Sequence, residues 1–492
     1  MDLSRRHFIE AGLGASLAGT LGACTSLGVQ SDPRKMPVWH LGYRNAPTNG
    51  FDPAPMQLVY GKAPSDLKGA LYRNGPAQFQ YGDQYASHWF DGDGLIHRIA
   101  IEDGQAVHKA RFADTRKRRE EQAAGKFLAP GFGTLGDEAY AVMGPDDVNA
   151  ANTSILMING ELLALWEAGS AIAMDAETLE TKGPKAWRED LKAMPFLAHP
   201  KVEPDGRVWN LAVGGQQVGI YRIGASGGLE DFGLVNIGRA AYIHDWTMTE
   251  RHLIILVQPW INENLRPPVV AGFDWQPQHG LQMLIIDKDD FTNQRWAQAP
   301  ARAFFHTGSA WEESDGTIKF DVVLYKEPVL GVGGGAAEIR GEWNESYFSE
   351  NGTLTLIEIP PHGDARLIET DIDGEFPQVD PRYRGKPRAL TALVSKAAKN
   401  RPGQTAITVQ NWVSGQADTF DFGETRMVEE FLFVPKAGGQ SDMDSWLLGP
   451  VLNLKAAATE ICVFDAARVS EGPVCIWRAD YSWPLGFHGT WA

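Results

Sequence analysis

Four of the twelve histidines in this chain occupy settings able to hold a metal ion. They are Ala198-His199-Pro200-Lys201-Val202, Tyr242-Ile243-His244-Asp245-Trp246, Phe304-Phe305-His306-Thr307 and Gly486-Phe487-His488-Gly489-Thr490-Trp491. Each sits at the edge of an apolar, strand-like run. The separations are 45, 62 and 182 residues, which match no helical metal motif. Imidazole is a borderline ligand suited to iron, zinc or copper. One site made from these four requires a fold that carries distant strands to a common axis. Taken singly, each is more simply a buried histidine satisfied by one hydrogen bond. No nucleophile elbow, phosphate-binding glycine loop or dinucleotide fingerprint offers a competing chemistry.

The elements that would position these residues are short strands. From about Leu71 onward, runs rich in Val, Ile, Leu, Phe and Thr alternate with turns. Examples are Arg207–Val213, Leu253–Val257, Leu281–Ile286, Ile318–Leu324, Thr353–Ile359, Thr405–Asn411, Phe431–Val434 and Ser445–Asn453. Asp205-Gly206, Asp315-Gly316 and Asn351-Gly352 mark tight turns. One short helix is expected over Asp114–Ala124. Strands without intervening helices argue against a parallel α/β sheet and for an all-β sandwich, barrel or propeller. The length, 492 residues, favours a propeller in one domain over residues 31–492. No repeated blade motif gives a blade count.

The first 30 residues read as an export signal outside the fold. Ser4-Arg5-Arg6-His7-Phe8-Ile9 resembles the twin-arginine motif. The stretch from Ala11 to Ala23 is too short and glycine-rich to span a bilayer. Leu21-Gly22-Ala23-Cys24 resembles a lipobox with Cys24 as the acylated residue; the alternative is an ordinary cleavage site beside a chance cysteine. The expected location is the periplasm, free or anchored as a lipoprotein. Cys462 and Cys475 remain. They either face each other across a hairpin or are two buried free thiols, and folding in a reducing compartment before export favours the thiols. The formal net charge of −17 gives nucleic acid no basic patch.

The four histidine motifs resemble the iron-binding motifs of the carotenoid cleavage oxygenases, in that family's order. So do Gly69-Ala70-Leu71-Tyr72-Arg73-Asn74-Gly75-Pro76, His88-Trp89-Phe90-Asp91-Gly92-Asp93-Gly94-Leu95-Ile96-His97, Ala151-Asn152-Thr153, Leu163-Ala164-Leu165-Trp166-Glu167-Ala168-Gly169, Glu375-Phe376-Pro377 and Glu430-Phe431-Leu432-Phe433-Val434-Pro435. The resemblance implies a seven-bladed β-propeller with the metal on its axis and loops capping one face. It implies one Fe(2+) held by His199, His244, His306 and His488. Glu167, Glu375 and Glu430 would accept hydrogen bonds from His244, His306 and His488 in turn, with His199 lacking such a partner. Thr153 would lie beside an open coordination position and restrict it. His88 and His97 would be structural.

The implied reaction is O2-dependent cleavage of a C=C double bond into two carbonyl products, without a protein nucleophile. Carotenoids, apocarotenoids and stilbenes are all substrates in the family. Stilbene-cleaving members carry a lysine shortly before the Ala-Asn-Thr motif; this chain has Asp146-Asp147-Val148-Asn149-Ala150 there, which favours a carotenoid or apocarotenoid over a phenolic stilbene. A propeller that only binds an apolar ligand is the second alternative, and a zinc hydrolase, which needs carboxylate ligands or a nearby base, a third. The apolar stretch from Trp260-Ile261 through Val269-Val270 to Phe273-Asp274-Trp275 is either a membrane contact near the tunnel mouth or a packed loop.

Overall fold

The computed structural model describes residues 36–264, 266–343 and 352–492. The export signal, Cys24 and Asn351 therefore lie outside the described residues. Strands that alternate buried and exposed side chains, as Gln105–Phe112 does, form outer edges. Strands buried on both faces, such as His252–Val257, read as continuous apolar runs and lie inside. They assemble into seven four-stranded antiparallel blades.

Blade 1 runs outward from Gly489–Trp491 through Gly69–Pro76, Gly94–Glu102 and Gln105–Phe112. Blade 2 begins at Ser154–Ile158, blade 3 at Lys201–Val202 and blade 4 at Thr247–Met248. Blade 5 begins at Ala303–Glu312. Its outermost strand, Arg366–Gln378, runs on to become the first strand of blade 6 by pairing with Leu390–Ala397. Blade 7 comprises Leu432–Pro435, Ser445–Asn453, Ala458–Asp465 and Cys475–Arg478.

The ring is closed from both ends of the chain. The C-terminal strand Gly489–Trp491 pairs with Gly69–Pro76 inside blade 1. At the rim, Phe51–Gly61 pairs with Gln105–Phe112 of blade 1 and also with Cys475–Arg478 of blade 7. Apolar clusters fill the gaps between neighbouring blades, for example Trp246, Leu253 and Ile255 against Leu211, Val218 and Ile220.

Most expected strands are found to within a residue or two, and Thr353–Ile359 and Ser445–Asn453 keep their bounds. The expected helix forms as Arg116–Ala124. Thr115 caps it through a hydroxyl that accepts from Arg118 N, and Gly125 ends it in the left-handed region. Cys462 and Cys475 are buried free thiols. Cys462 lies opposite Ile476 and Cys475 opposite Val463, so the two point to opposite faces of blade 7 and cannot bridge.

Candidate metal centre

Each blade carries one polar residue at or near the start of its first strand. In ring order these are His488, Thr153, His199, His244, His306, Glu375 and Glu430. A propeller aims the ends of its first strands at one point, so residues far apart in sequence converge. One ligand atom from each of the four histidines lies within 4.8 Å of all the others. The Nε2 atoms of His199 and His244 are 3.0 Å apart. His306 Nε2 is 3.1 Å from both His244 Nε2 and His488 Nε2.

The far ring nitrogens explain which lone pairs point inward. His244 Nδ1 bonds Glu167, His306 Nδ1 lies 2.5 Å from Glu375, and His488 Nδ1 lies 2.8 Å from Glu430. A carboxylate on Nδ1 holds the proton there and leaves Nε2 as a bare lone pair. Facing lone pairs about 3 Å apart repel unless a cation sits between them. With metal–nitrogen distances of about 2.0–2.1 Å, an edge near 3 Å subtends roughly a right angle; tetrahedral ligation would open it to about 3.4 Å. The donor set therefore fits a metal ion with open positions better than a closed tetrahedral one. No carboxylate joins the cluster as a ligand among the described residues.

The electrostatics agree. Burial holds the His199 imidazole well below the ordinary histidine range, and His244, His488 and His306 push the same way. Burial also lowers His488 to about 4, against the pull of Glu430. At His306 burial acts downward, but Glu375, joined by Asp245 and Glu430, outweighs it and the value ends above the ordinary one. Burial raises the carboxyls of Glu375 and Glu430, yet both end lowered: His306, Phe376 N and Tyr325 outweigh it at Glu375, and His488, Arg73 and His306 at Glu430. The carboxylates thus favour positive charge at the centre.

The glutamates have supports that the sequence reading missed. Tyr242 OH donates to Glu167 at 3.1 Å and Tyr325 OH to Glu375 at 2.8 Å. Gln378 Nε2 donates to Glu430 at 2.7 Å, and Arg73 pairs with the same carboxylate. Tyr242 was legible, because it lies two residues before His244 in the same motif; Tyr325 carries no local signal. Ala151 and Phe376 have φ of 47° and 56°, left-handed values that cost about 1–3 kcal/mol each in non-glycine residues. They flank Asn152-Thr153 and Glu375, where the strain re-aims site residues.

Thr153 is buried on the cavity wall. Its hydroxyl donates to Asn152 at 3.0 Å, and its carbonyl accepts from His488 N. His88 and His97 stand outside the cluster, as expected. His88 Nδ1 accepts from Phe90 N, and His97 bonds His108, which in turn bonds Tyr481.

Above the four imidazoles lies a cavity of about 940 Å³, lined by Phe90, Phe132, Trp166, Phe273, Phe305 and Phe487 among others. Phe376 stacks on His306 at 4.9 Å. In the 260–275 region, Trp260–Asn262 pairs with Phe273–Trp275 as a hairpin. Trp260, Ile261 and Val270 are buried, Val269 is exposed, and Val269 and Phe273 border the cavity. The stretch is thus a hairpin with buried anchors at Trp260, Ile261 and Val270 and an exposed tip. Among the described residues no helix is long and apolar enough to cross a membrane.

A family model described as retinal pigment epithelial membrane protein (RPE65) matches residues 45–492. The chain is a carotenoid cleavage oxygenase family member. It is 26% identical to an apocarotenoid-15,15'-oxygenase of Synechocystis, over 94% of this chain and 95% of the relative. It is 25% identical to resveratrol cleavage oxygenase 1 of Aspergillus fumigatus, over 88% and 91%. The solved structure of cobalt-substituted Synechocystis apocarotenoid oxygenase superposes with a TM-score of 0.84 at 24% identity, covering 92% of this chain and 98% of that one. The seven-bladed architecture is therefore the family's own.

Proposed function

We propose that this oxygenase is a non-haem Fe(II) dioxygenase that cleaves one C=C bond of a carotenoid or apocarotenoid. The observation that carries the reading is four converging imidazole nitrogens, with His244, His306 and His488 on the wall of a large apolar cavity. His199, His244, His306 and His488 would hold the ion. When bound, it would supply the position at which O2 is activated. The reaction balances without a further reductant: the alkene and both atoms of one O2 give two carbonyl products.

The chain's own part is positioning. The aromatic walls hold a polyene by apolar burial and tolerate positive charge developing on it. Thr153, between His488 and His199 in the ring, has its hydroxyl committed to Asn152. Its role would be to restrict one coordination position. Glu167, Glu375 and Glu430 fix the three imidazoles they bond. Glu375→Gln keeps an acceptor but removes the charge, so metal affinity or turnover should fall about 10–100-fold with the fold intact; iron content and kcat check it.

Substrate class follows from the wall. Asp146 and Asp147 are consumed by local bonds, to Ser170 and to Arg116, Met143 N and Gly144 N. Among the described residues Lys399 is the lysine bordering the cavity, and it is exposed. No buried ammonium therefore waits for a phenol, which favours a polyene over a stilbene. Incubating iron-loaded protein with apocarotenals, carotenes and hydroxystilbenes, and identifying products by mass, tests this. Aldehydes from a polyene support it. Cleavage of hydroxystilbenes alone would replace the substrate class, and binding without products would favour the ligand-binding alternative.

We infer from the first 30 residues that the chain is exported by the twin-arginine route and anchored through Cys24. Cys24→Ser should move the protein from the membrane fraction to the soluble periplasmic fraction. Retention of the variant in membranes would point to an apolar contact instead, such as the exposed Val269.

A further inference from the structure

The C-terminal histidine is held differently from the others. Glu167 and Glu375 are each supported by a neutral phenol. Glu430, behind His488, is supported by a buried cation, Arg73. Its planar fork reaches further. Nη1 donates to Glu430, and Nη2 donates to the Phe487 carbonyl at 2.9 Å and lies 3.5 Å from Glu429. Glu429 in turn accepts from Gly486 N at 2.7 Å. One guanidinium thus grips the carboxylate that orients His488 and the peptide just before it.

The same residue sits on the ring's closing seam. Arg73 belongs to Gly69–Pro76, and its register partner is Gly489, the residue after His488. A side chain at Gly489 would meet Tyr72 O at 2.3 Å and Arg73 Cδ at 2.7 Å. Glycine there lets the closing strand press onto Arg73.

We propose that Arg73 is a positioning residue that locks the ring-closing C-terminal segment and, through Glu430, the His488 ligand, so that closure of the propeller and completion of the metal site form one unit. This rests on the four histidines being a metal centre.

The test uses the full chain, cobalt(II) as the probe metal, and amide exchange of the peptide covering residues 483–492. In the wild type, cobalt slows exchange in that peptide. Arg73→Met should weaken cobalt binding about 10–100-fold and speed exchange there in the metal-free protein, leaving Ala303–Glu312 unchanged. Arg73→Lys, which keeps the charge without the fork, should fall between. Glu430→Gln should lose affinity yet keep the C-terminal peptide protected, because Arg73 still holds the Phe487 carbonyl. Unchanged affinity and exchange in Arg73→Met would overturn the proposal. So would loosening spread evenly over all blades, which marks a generic structural role. If Arg73→Met does not fold, Arg73→Lys decides on the same readouts. A wild type that takes no cobalt would refute the metal centre itself, while exchange in the metal-free variants would still judge Arg73.

Discussion

Deleting residues 488–492 is expected to abolish metal retention and activity while leaving most of the β structure in place. Chain ends usually fray, because few contacts offset the entropy of ordering them. This end does not. Asn74 N donates to His488 O at 2.9 Å, and Ala70 and Ala492 exchange backbone bonds at 2.7 and 3.0 Å. Phe487 is buried against Trp89, ring centroids 4.8 Å apart. The deletion removes one imidazole and the first strand of blade 1, and leaves buried Glu430 without its histidine. The rim strand Phe51–Gly61 still joins blades 1 and 7, so the ring should persist with a lowered Tm. Metal content, circular dichroism and thermal unfolding check this. A truncated protein that is fully active and iron-replete would exclude His488 as a ligand. Global unfolding would show that the inner closure alone holds the ring.

His306→Ala should have the largest effect of any single substitution in the ring. His306 is, with His244, one of the two inner members of the cluster, 3.1 Å from the Nε2 atoms of both His244 and His488. Its loss also strands Glu375, a buried carboxylate whose remaining partners are Tyr325 OH and Phe376 N. Removing an outer partner such as Glu375 typically costs about 10–100-fold in affinity. Removing the ligand itself should exceed that, with iron falling to background in purified protein. His97→Ala is the control. It removes an equally buried histidine, bonded to His108 and far from the cluster in the hydrogen-bond network, and should lower stability while leaving the metal bound. Iron retained in His306→Ala would contradict the assignment.

Much of this site was legible in the sequence because its residues sit inside short motifs. His244 and Tyr242 share one motif, Glu375 and Phe376 another, and all match a family pattern in order. The blade count was not legible from periodicity, and the structure shows why. The first strand of blade 3 begins at Lys201 and that of blade 4 at Thr247, whereas blade 5 begins at Ala303 and blade 6 only at Gly374, a spacing half as long again. A hairpin inserted within blade 4 and a helical segment, Ala336–Ile339, within blade 5 stretch the repeat. Strand sharing hides it further, since Arg366–Gln378 serves two blades. Arg73 was visible only as part of a strand motif. Its role depends on residues 429, 430 and 487, which lie more than 350 positions away and meet it only when the ring closes. For Cys462 and Cys475 the sequence favoured free thiols on the ground of compartment alone; the register adds the geometric reason by setting them on opposite faces.

Four histidines are expected to hold one iron ion beside the apolar cavity. Anomalous diffraction from iron-loaded crystals, collected on both sides of the iron absorption edge, tests it most directly. A single strong peak is expected between His199, His244, His306 and His488, about 2.0–2.3 Å from each Nε2 by analogy with known histidine–metal distances. Iron-loaded crystals with no peak there, or with the peak elsewhere on the molecule, would contradict it.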